Sequence, residues 1–430
     1  MHGVLLLRQQ ARLVRRCTTK ANDGTQPQRA SASSNEIEKP HARSVTVAPT
    51  SSLMHRIWAT AKEPLHPVTI SDMLALQSVK NPEATLLQSA LWLRTELQRR
   101  TARQVISLSQ MPFGICTMPS ARRIREDYVR TFRDLSETPP PSSYEAMLTF
   151  SDKLEVIYAR HATVLSLLAK AVLELKQTMA KDPDGGDDDL NAFLEFANVD
   201  DAFSNFLTRR IGHRFLLGHH LALLADHKRG VQNPSICGLI DRALSPYDVV
   251  SDAATTAMSL CRGTYGVAPQ VEVECQQPRT LPYVRDHLRY ILLELLKNSC
   301  RATVERYVDA REMPSVRVAI SDELDGNVAI VVSDKGSGIP RAQAQRVWSY
   351  LYTTAPKNAT DLLDHIDAQT PIAGLGFGLP VSRLHARYFG GDLHMLSVVG
   401  RGTDMVLYLS QLDVPETEAK TMTVQKVLPA

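Results

Sequence analysis

The six cysteines make no CxxC pair, and none stands at metal-ligand spacing from a histidine. That excludes a disulfide-stapled secreted scaffold and a structural zinc site, and it points to reduced, mostly buried thiols in a reducing compartment. Charge of one sign is also scarce. The formal net charge is only +3, too little to argue for a nucleic-acid partner or a membrane surface. No apolar run reads as long enough to span a bilayer. What remains is an ordinary globular composition, 43% apolar and 22% charged, in 430 residues. That length has room for two domains.

The first 22 residues hold Arg8, Arg12, Arg15, Arg16 and Lys20 and no acidic residue. Val4, Leu5, Leu6, Leu7, Leu13 and Val14 are interleaved with them. A basic amphipathic helix of this kind has the character of a mitochondrial transit peptide, and the arginines break it too often for a secretory signal. From Asn22 to about Ser44 the chain is rich in Ser, Gln, Ala and Pro, a composition expected to stay unstructured. Residues 1–45 are therefore assigned to the transit peptide and this segment.

Residues 46–230 read as a helical domain. Leucines recur at helical spacing from 72 to 100, and Arg122 to Leu135 is amphipathic until Pro139, Pro140 and Pro141 stop it. Leu154 to Ala180 reads as one long helix, broken by DPDGGDDD at 182–189. That acidic run is expected to be a solvated loop. A last helix spans about Asp188 to Ala225. Four long helical segments with few β-branched residues predict a four-helix bundle. His213, His219 and His220 lie on the last of them. Adjacent histidines face different ways, so the expectation is one packed and one exposed rather than a metal pair.

After the linker at 227–235 the pattern changes. VEVEC (271–275), SVRVAIS (315–321), NVAIVVS (327–333), DLHMLSV (392–398) and DMVLYLS (404–410) read as strands. HLRYILLELLKNSCRATVERYV (287–308) and VSRLHARYF (381–389) read as helices. Residues 236–413 are thus expected to form an α/β sandwich, one sheet covered by helices. A tail, 414–430, shows no pattern.

Three segments carry chemistry. Glu294 and Asn298 are four apart on one helix face, with Arg301 three further on. A carboxamide oxygen suits Mg²⁺, and a carboxylate one turn away can take a proton from an attacking hydroxyl. A salt-bridge stripe with Lys297 explains the same residues almost as well. DKGSGIP (334–340) follows a strand end, where Asp334 can accept a hydrogen bond from an exocyclic amine and Gly336 and Gly338 allow close backbone approach. GLGFGLP (374–380) places Gly374, Gly376 and Gly378 before a helix N-terminus, a nest suited to phosphate. It is neither a Rossmann fingerprint nor a Walker A loop. GRGTDMVLYL (400–409) would close the pocket from behind.

In this order the motifs resemble the GHKL superfamily of histidine kinases, gyrase-type ATPases and mitochondrial protein kinases, whose nucleotide site is the Bergerat α/β sandwich. ELLKNSCRATVE (294–305), VWSYLYTTAP (347–356), GLGFGLPVSRLHARYFGGDL (374–393), REDYVRTFRDL (125–135) and FLTRRIGHRFLLGHHLALL (206–224) resemble the branched-chain 2-oxoacid and pyruvate dehydrogenase kinases. The likeness covers most of residues 70–410. It implies a mitochondrial-matrix Ser/Thr kinase that uses Mg-ATP to phosphorylate and inactivate the E1α subunit of a 2-oxoacid dehydrogenase. It also implies docking on the lipoyl-bearing E2 core and a homodimer, with no nucleic acid and no membrane span.

Further roles follow from the same resemblance. Glu294 is implied as general base, Asn298 as Mg²⁺ ligand and Asp334 as the adenine-reading carboxylate, supported by Gly336 and Gly338. Arg301, Thr353 and Thr354 are implied as nucleotide contacts. Gly374, Leu375, Gly376, Phe377, Gly378 and Leu379 are implied as the phosphate-side loop. Carbonyls of Val347, Ser349, Tyr352 and Gly376 are implied to hold K⁺, and residues 357–372 to form the lid. Tyr290 stands where many pyruvate-type kinases have histidine, and no Asp-Trp dipeptide occurs in the tail; both lean toward the branched-chain type. YTTAPK (352–357) and the short lid lean the other way. The alternative is a GHKL histidine autokinase or ATPase; a general base at Glu294 argues against the first.

Overall fold

The computed structural model describes residues 51–75, 81–180, 199–230, 235–275, 279–307, 310–322, 327–350, 352 and 376–410. The transit-peptide segment, the acidic loop, the lid and the tail lie outside these residues.

The first half is helical: α1 Ser51–Ala61, α2 Ile70–Ala75, α3 Pro82–Ser109, α4 Pro119–Glu137, α5 Tyr144–Arg160, α6 Val164–Ala180 and α7 Val199–Arg229. Starts and stops follow local chemistry. Asn81 and Ser143 cap α3 and α5 by accepting from Ala84 N and Ala146 N, and Pro82 and Pro119 sit at first-turn positions that need no N–H. Gly230, at φ +65°, follows the end of α7.

Two expectations change here. The stretch 154–180 is not one helix: the turn at residues 161–163 divides it into α5 and α6. There the buried His161 ring stacks on Tyr128, 4.1 Å between centroids, with Nε2 2.9 Å from Thr131 Oγ1. Five helices of 17 residues or more thus stand among the described residues of this half, where the sequence suggests four. By length and composition alone, Tyr144–Met179 could cross a membrane, but Phe150, Leu154, Ile157, Leu168 and Val172 are buried in the protein's own core.

The second correction concerns the histidines. His213, His219 and His220 are all buried, because α7 is enclosed all round from Ile211 to His220, where only Arg214 is not fully buried. Thr101 Oγ1 lies 3.2 Å from His213 Nε2, and Ser89 and Ser151 hydroxyls each lie 3.1 Å from a His220 nitrogen. Leu239 N–H donates to His219 Nδ1. Burial drives the three pKa values down, to about 3 for His213 and about 4 for the other two.

The second half is built on β1 Ile236–Cys237, β2 Ile240–Leu244, α8 Pro246–Tyr265, β3 Val271–Cys275, β4 Leu281–Val284, α9 Arg285–Tyr307, β5 Val316–Asp322, β6 Val328–Ser333, α10 Gly378–Tyr388, β7 Asp392–Val398 and β8 Gly402–Leu409. A small sheet has the order β1-β2-β4 and a larger one β3-β5-β6-β8-β7. Only β3 and β5 pair in parallel in the larger sheet. A parallel pair needs a crossover, and here the crossover carries α9. Val318 lies opposite Val332, and Ile330 opposite Leu407. These side chains are buried under Leu292, Leu295 and Leu296 of α9 in one continuous core.

Candidate functional site

α9 buries Leu288, Ile291, Leu292, Leu295, Leu296, Ser299, Cys300, Thr303 and Val304, which fixes its rotation about its own axis. The remaining edge presents Glu294, Lys297, Asn298 and Arg301. Lys297 Nζ donates to Glu294 Oε1 at 2.6 Å, with both side chains largely buried. The salt bridge considered from sequence therefore exists, but one carboxylate oxygen, Oε2, faces Gly378 instead. The Asn298 side chain is exposed, so its carboxamide oxygen can serve a hard cation. Arg301 turns along the helix, its Nε donating to Glu305 Oε1 at 2.7 Å.

Asp334 stands at the end of β6. Its Oδ1 accepts from Gly336 N–H at 2.9 Å and from Thr403 N–H at 3.2 Å, and Ser299 of α9 supplies a further hydrogen bond. Burial pushes the carboxyl pKa up, while these three hydrogen bonds pull it down. Both backbone donors fall on Oδ1, and a carboxylate oxygen accepts more than one bond, so Oδ2 has capacity for a donor from a ligand.

Both glycine segments pack on α9. A Cβ on Gly336 would stand 2.7 Å from Ala302 Cβ, and one on Gly378 would stand 2.6 Å from Glu294 Oε2. Only glycine lets either loop come so near. Ala302 and Glu294 are eight residues apart, about 12 Å along a helix axis. The Asp334 loop and the α10 N-terminus therefore grip one helix at two points separated by the length scale of a nucleoside triphosphate. At the second point Gly376 has φ +76° and α10 begins at Gly378. Its first-turn N–H groups and dipole favour an anion there. Leu379 lies in that first turn, packed on the core.

Thr353, Thr354, Gly374 and Leu375 lie outside the described residues. Of the carbonyls assigned to K⁺, the Val347 side chain is buried and Ser349 closes a turn, its oxygen accepting from Tyr352 N–H at 3.5 Å. No cluster of three or more His, Cys, Asp or Glu suited to a metal occurs among the described residues.

A contact invisible in the motifs ties this region to the helical half. Tyr350 N–H donates to Asp200 Oδ1 at 3.0 Å, and the Tyr350 hydroxyl lies 3.1 Å from Ser204 Oγ. The Tyr350 ring stacks on Phe203 at 5.3 Å and meets Phe377 at 5.4 Å. Behind Glu294, burial and the Glu294 charge push the Tyr290 phenol pKa well up, and its ring lies 5.0 Å from that of His385.

Comparison with known proteins agrees with this geometry. The family model described as "Mitochondrial branched-chain alpha-ketoacid dehydrogenase kinase" matches residues 67–241. The model described as "Histidine kinase-, DNA gyrase B-, and HSP90-like ATPase" matches residues 283–413. The chain is 37% identical over 338 residues to a mitochondrial [pyruvate dehydrogenase (acetyl-transferring)] kinase of Arabidopsis thaliana, covering 77% of this chain and 87% of that one. It is 35% identical over 333 residues to the human isozyme 3 of that kinase, covering 75% and 78%. Against the Ascaris suum kinase it is 32% identical over 344 residues, covering 78% and 81%.

Proposed function

The chain belongs to the mitochondrial dehydrogenase-kinase family of GHKL proteins, and from that premise we propose that it is a mitochondrial protein-serine kinase that phosphorylates and inactivates the E1α subunit of a 2-oxoacid dehydrogenase complex. One observation carries the proposal: a single helix holds a carboxylate and, one turn on, an open carboxamide, gripped at two points by the Asp334 loop and the start of α10. ATP is the phosphoryl donor. Asp334 Oδ2 accepts from the adenine amine while Gly336 and Thr403 hold the carboxylate in aim. The α10 N-terminus and Gly376 cradle phosphate. Asn298 holds Mg²⁺, which when bound neutralises charge on the transferring group. Glu294 takes the proton of the substrate serine, and Lys297 holds its carboxylate in place. The carbonyls near Val347, Ser349, Tyr352 and Gly376 supply a K⁺ site beside the same loop.

The relatives named above carry the pyruvate name, while the family model over residues 67–241 carries the branched-chain name. The relatives weigh for pyruvate dehydrogenase E1 against the lean of the sequence. Docking through the lipoyl-bearing E2 core and pairing of two copies are part of the proposal. Exposed Leu396 and Val398 of β7, Tyr408 of β8 and Val399 in the turn between them support the pairing. The histidine-autokinase alternative loses ground, because His213, His219 and His220 are sealed in the core.

The test is labelling of purified pyruvate-type and branched-chain-type E1 side by side with Mg-ATP. Alkali-labile, acid-stable phosphate on E1α is expected, and its rate of formation should fall at least about a hundredfold with Glu294→Gln. ATP hydrolysis with no label on either E1 would sink the kinase assignment and leave an ATPase.

A further inference from the structure

Arg306 lies in the last turn of α9, three turns beyond Glu294. A basic residue there would ordinarily satisfy its own helix's last carbonyls. Arg306 does something else. Its Nη1 donates to the carbonyls of Lys335, at 2.9 Å, and Gly336, at 2.7 Å; its Nη2 donates to the carbonyl of Gly400, at 3.0 Å. The first two acceptors belong to the loop that carries Asp334. The third lies in the turn between β7 and β8. The two segments are themselves laced together: Gly400 N–H donates to Ser337 O at 2.8 Å, and Ile339 N–H to Ser397 Oγ at 2.8 Å. Gly338, at φ +71°, packs its Cα against the Val398 carbonyl.

We propose that Arg306 is a positioning residue for nucleotide recognition, a three-carbonyl clamp that fixes the Asp334 loop relative to the helix bearing Glu294 and Asn298. The proposal rests on the assignment of Asp334 and α9 to the nucleotide site. Asp334 and its backbone donors sit beside Ser299 and Ala302 of α9, with Glu294 and Asn298 nearer the start of that helix. The loop after Asp334 contains Gly336 and Gly338, residues that leave the backbone free to wander unless it is held. The guanidinium is suited to this because its planar fork donates to several oxygens at once, and a lysine ammonium cannot reproduce that geometry. In this role Arg306 works through the three carbonyls rather than through the nucleotide. It acts by keeping the amine acceptor at a set distance from the cation-binding amide.

The test uses the full chain with Arg306→Ala and Arg306→Lys. Calorimetry gives the Kd for Mg-ADP, and E1 phosphorylation gives KM for ATP and kcat. Arg306→Ala is expected to raise Kd and KM about tenfold, the effect of losing two or three hydrogen bonds that align a binding group. At saturating ATP, kcat should stay within about twofold. Arg306→Lys is expected to recover part of the loss, and ATP-over-GTP preference should fall in both variants. A loss of kcat with Kd and KM unchanged would overturn the proposal, and so would a variant as tight and selective as wild type. If Arg306→Ala does not fold, the decision falls to Arg306→Lys: weakened, less selective binding upholds the clamp, and wild-type binding overturns it. Wild-type chain that takes up no Mg-ADP would refute the nucleotide site and the clamp together; wild type that binds alongside an equally tight variant would refute the clamp alone.

Discussion

Replacing Asp334 with asparagine keeps size and shape and changes one atom's chemistry. The carboxylate is 6% exposed, and its Oδ1 already accepts two backbone N–H bonds. Asparagine can keep both bonds only by putting its carbonyl oxygen at the Oδ1 position. Its NH₂ then occupies the Oδ2 position and meets the adenine amine donor to donor. Flipping the amide would restore the adenine bond but set NH₂ against Gly336 and Thr403. Either way one charge-assisted hydrogen bond is lost, a term of about 1.5–3 kcal/mol. At 1.4 kcal/mol per tenfold, Kd for Mg-ADP should rise roughly ten- to hundredfold. Stability should not fall in step, because the substitution removes a buried carboxylate whose desolvation already raises its pKa. The assay is calorimetric titration beside a thermal melt. A Kd within twofold of wild type, with the melting temperature unchanged, would refute the assignment of Asp334 to the adenine amine.

Glu294→Gln should leave Mg-ADP affinity within a few-fold and cut kcat by about 10²–10⁴, the usual share of a general base; intact kcat at saturating ATP would remove Glu294 from the base role. Gly402→Ala combines φ +118° with a Cβ driven onto the Asp334 carbonyl. It should cost at least about 2 kcal/mol of stability and abolish nucleotide binding, as read by urea unfolding and calorimetry. Acidification should weaken nucleotide binding. The Asp334 pKa is raised in the folded chain, so this carboxylate takes up its proton at a higher pH than an exposed aspartate, and affinity should fall there rather than one step lower. A Kd flat across the carboxylate range would contradict this. Phe203→Ala empties a wholly buried ring site between the two halves and should cost about 3–5 kcal/mol. A melting temperature within a degree of wild type would show that the contact carries little.

The parts of the site that were legible in the sequence are those where chemistry is local. Asp334 with Gly336, and Gly376 with Gly378, announce themselves because a turn and a helix start need those residues next to one another. The α9 stripe of Glu294 and Asn298 follows from helical period alone. The less legible parts have other causes. α8 has a capping serine, a first-turn proline and a terminal glycine, Ser245, Pro246 and Gly266. Its buried face is Val249, Val250, Ala253, Ala254 and Ala257, small residues that make no leucine rhythm. The short strands β1, β2 and β4 are too brief to show a period. His219 and His220 mislead because adjacent residues do face apart, yet the stretch of α7 that holds them is enclosed on every side. The Tyr350 contacts with Asp200 and Ser204 join positions 150 and 146 residues apart, and no window along the chain holds both partners. Arg306 escapes for the same reason: it is one more arginine at a helix end until the loops it reaches are folded beside it.

The rings of Phe203, Tyr350 and Phe377 bear on how the chain can be divided. The obvious cut falls in the linker near residue 230, between helices and sheets. Yet Tyr350 and Phe377 share one buried cluster with Phe203, Phe206 and Leu207 from α7. A piece beginning at 236 would bring those two rings into water at the edge of the candidate site, where stickiness and a misplaced α10 start would be hard to tell from an intrinsic lack of activity. The smallest self-sufficient catalytic unit of this protein therefore extends back through α7, and truncation experiments that stop short of it would measure the wound rather than the enzyme.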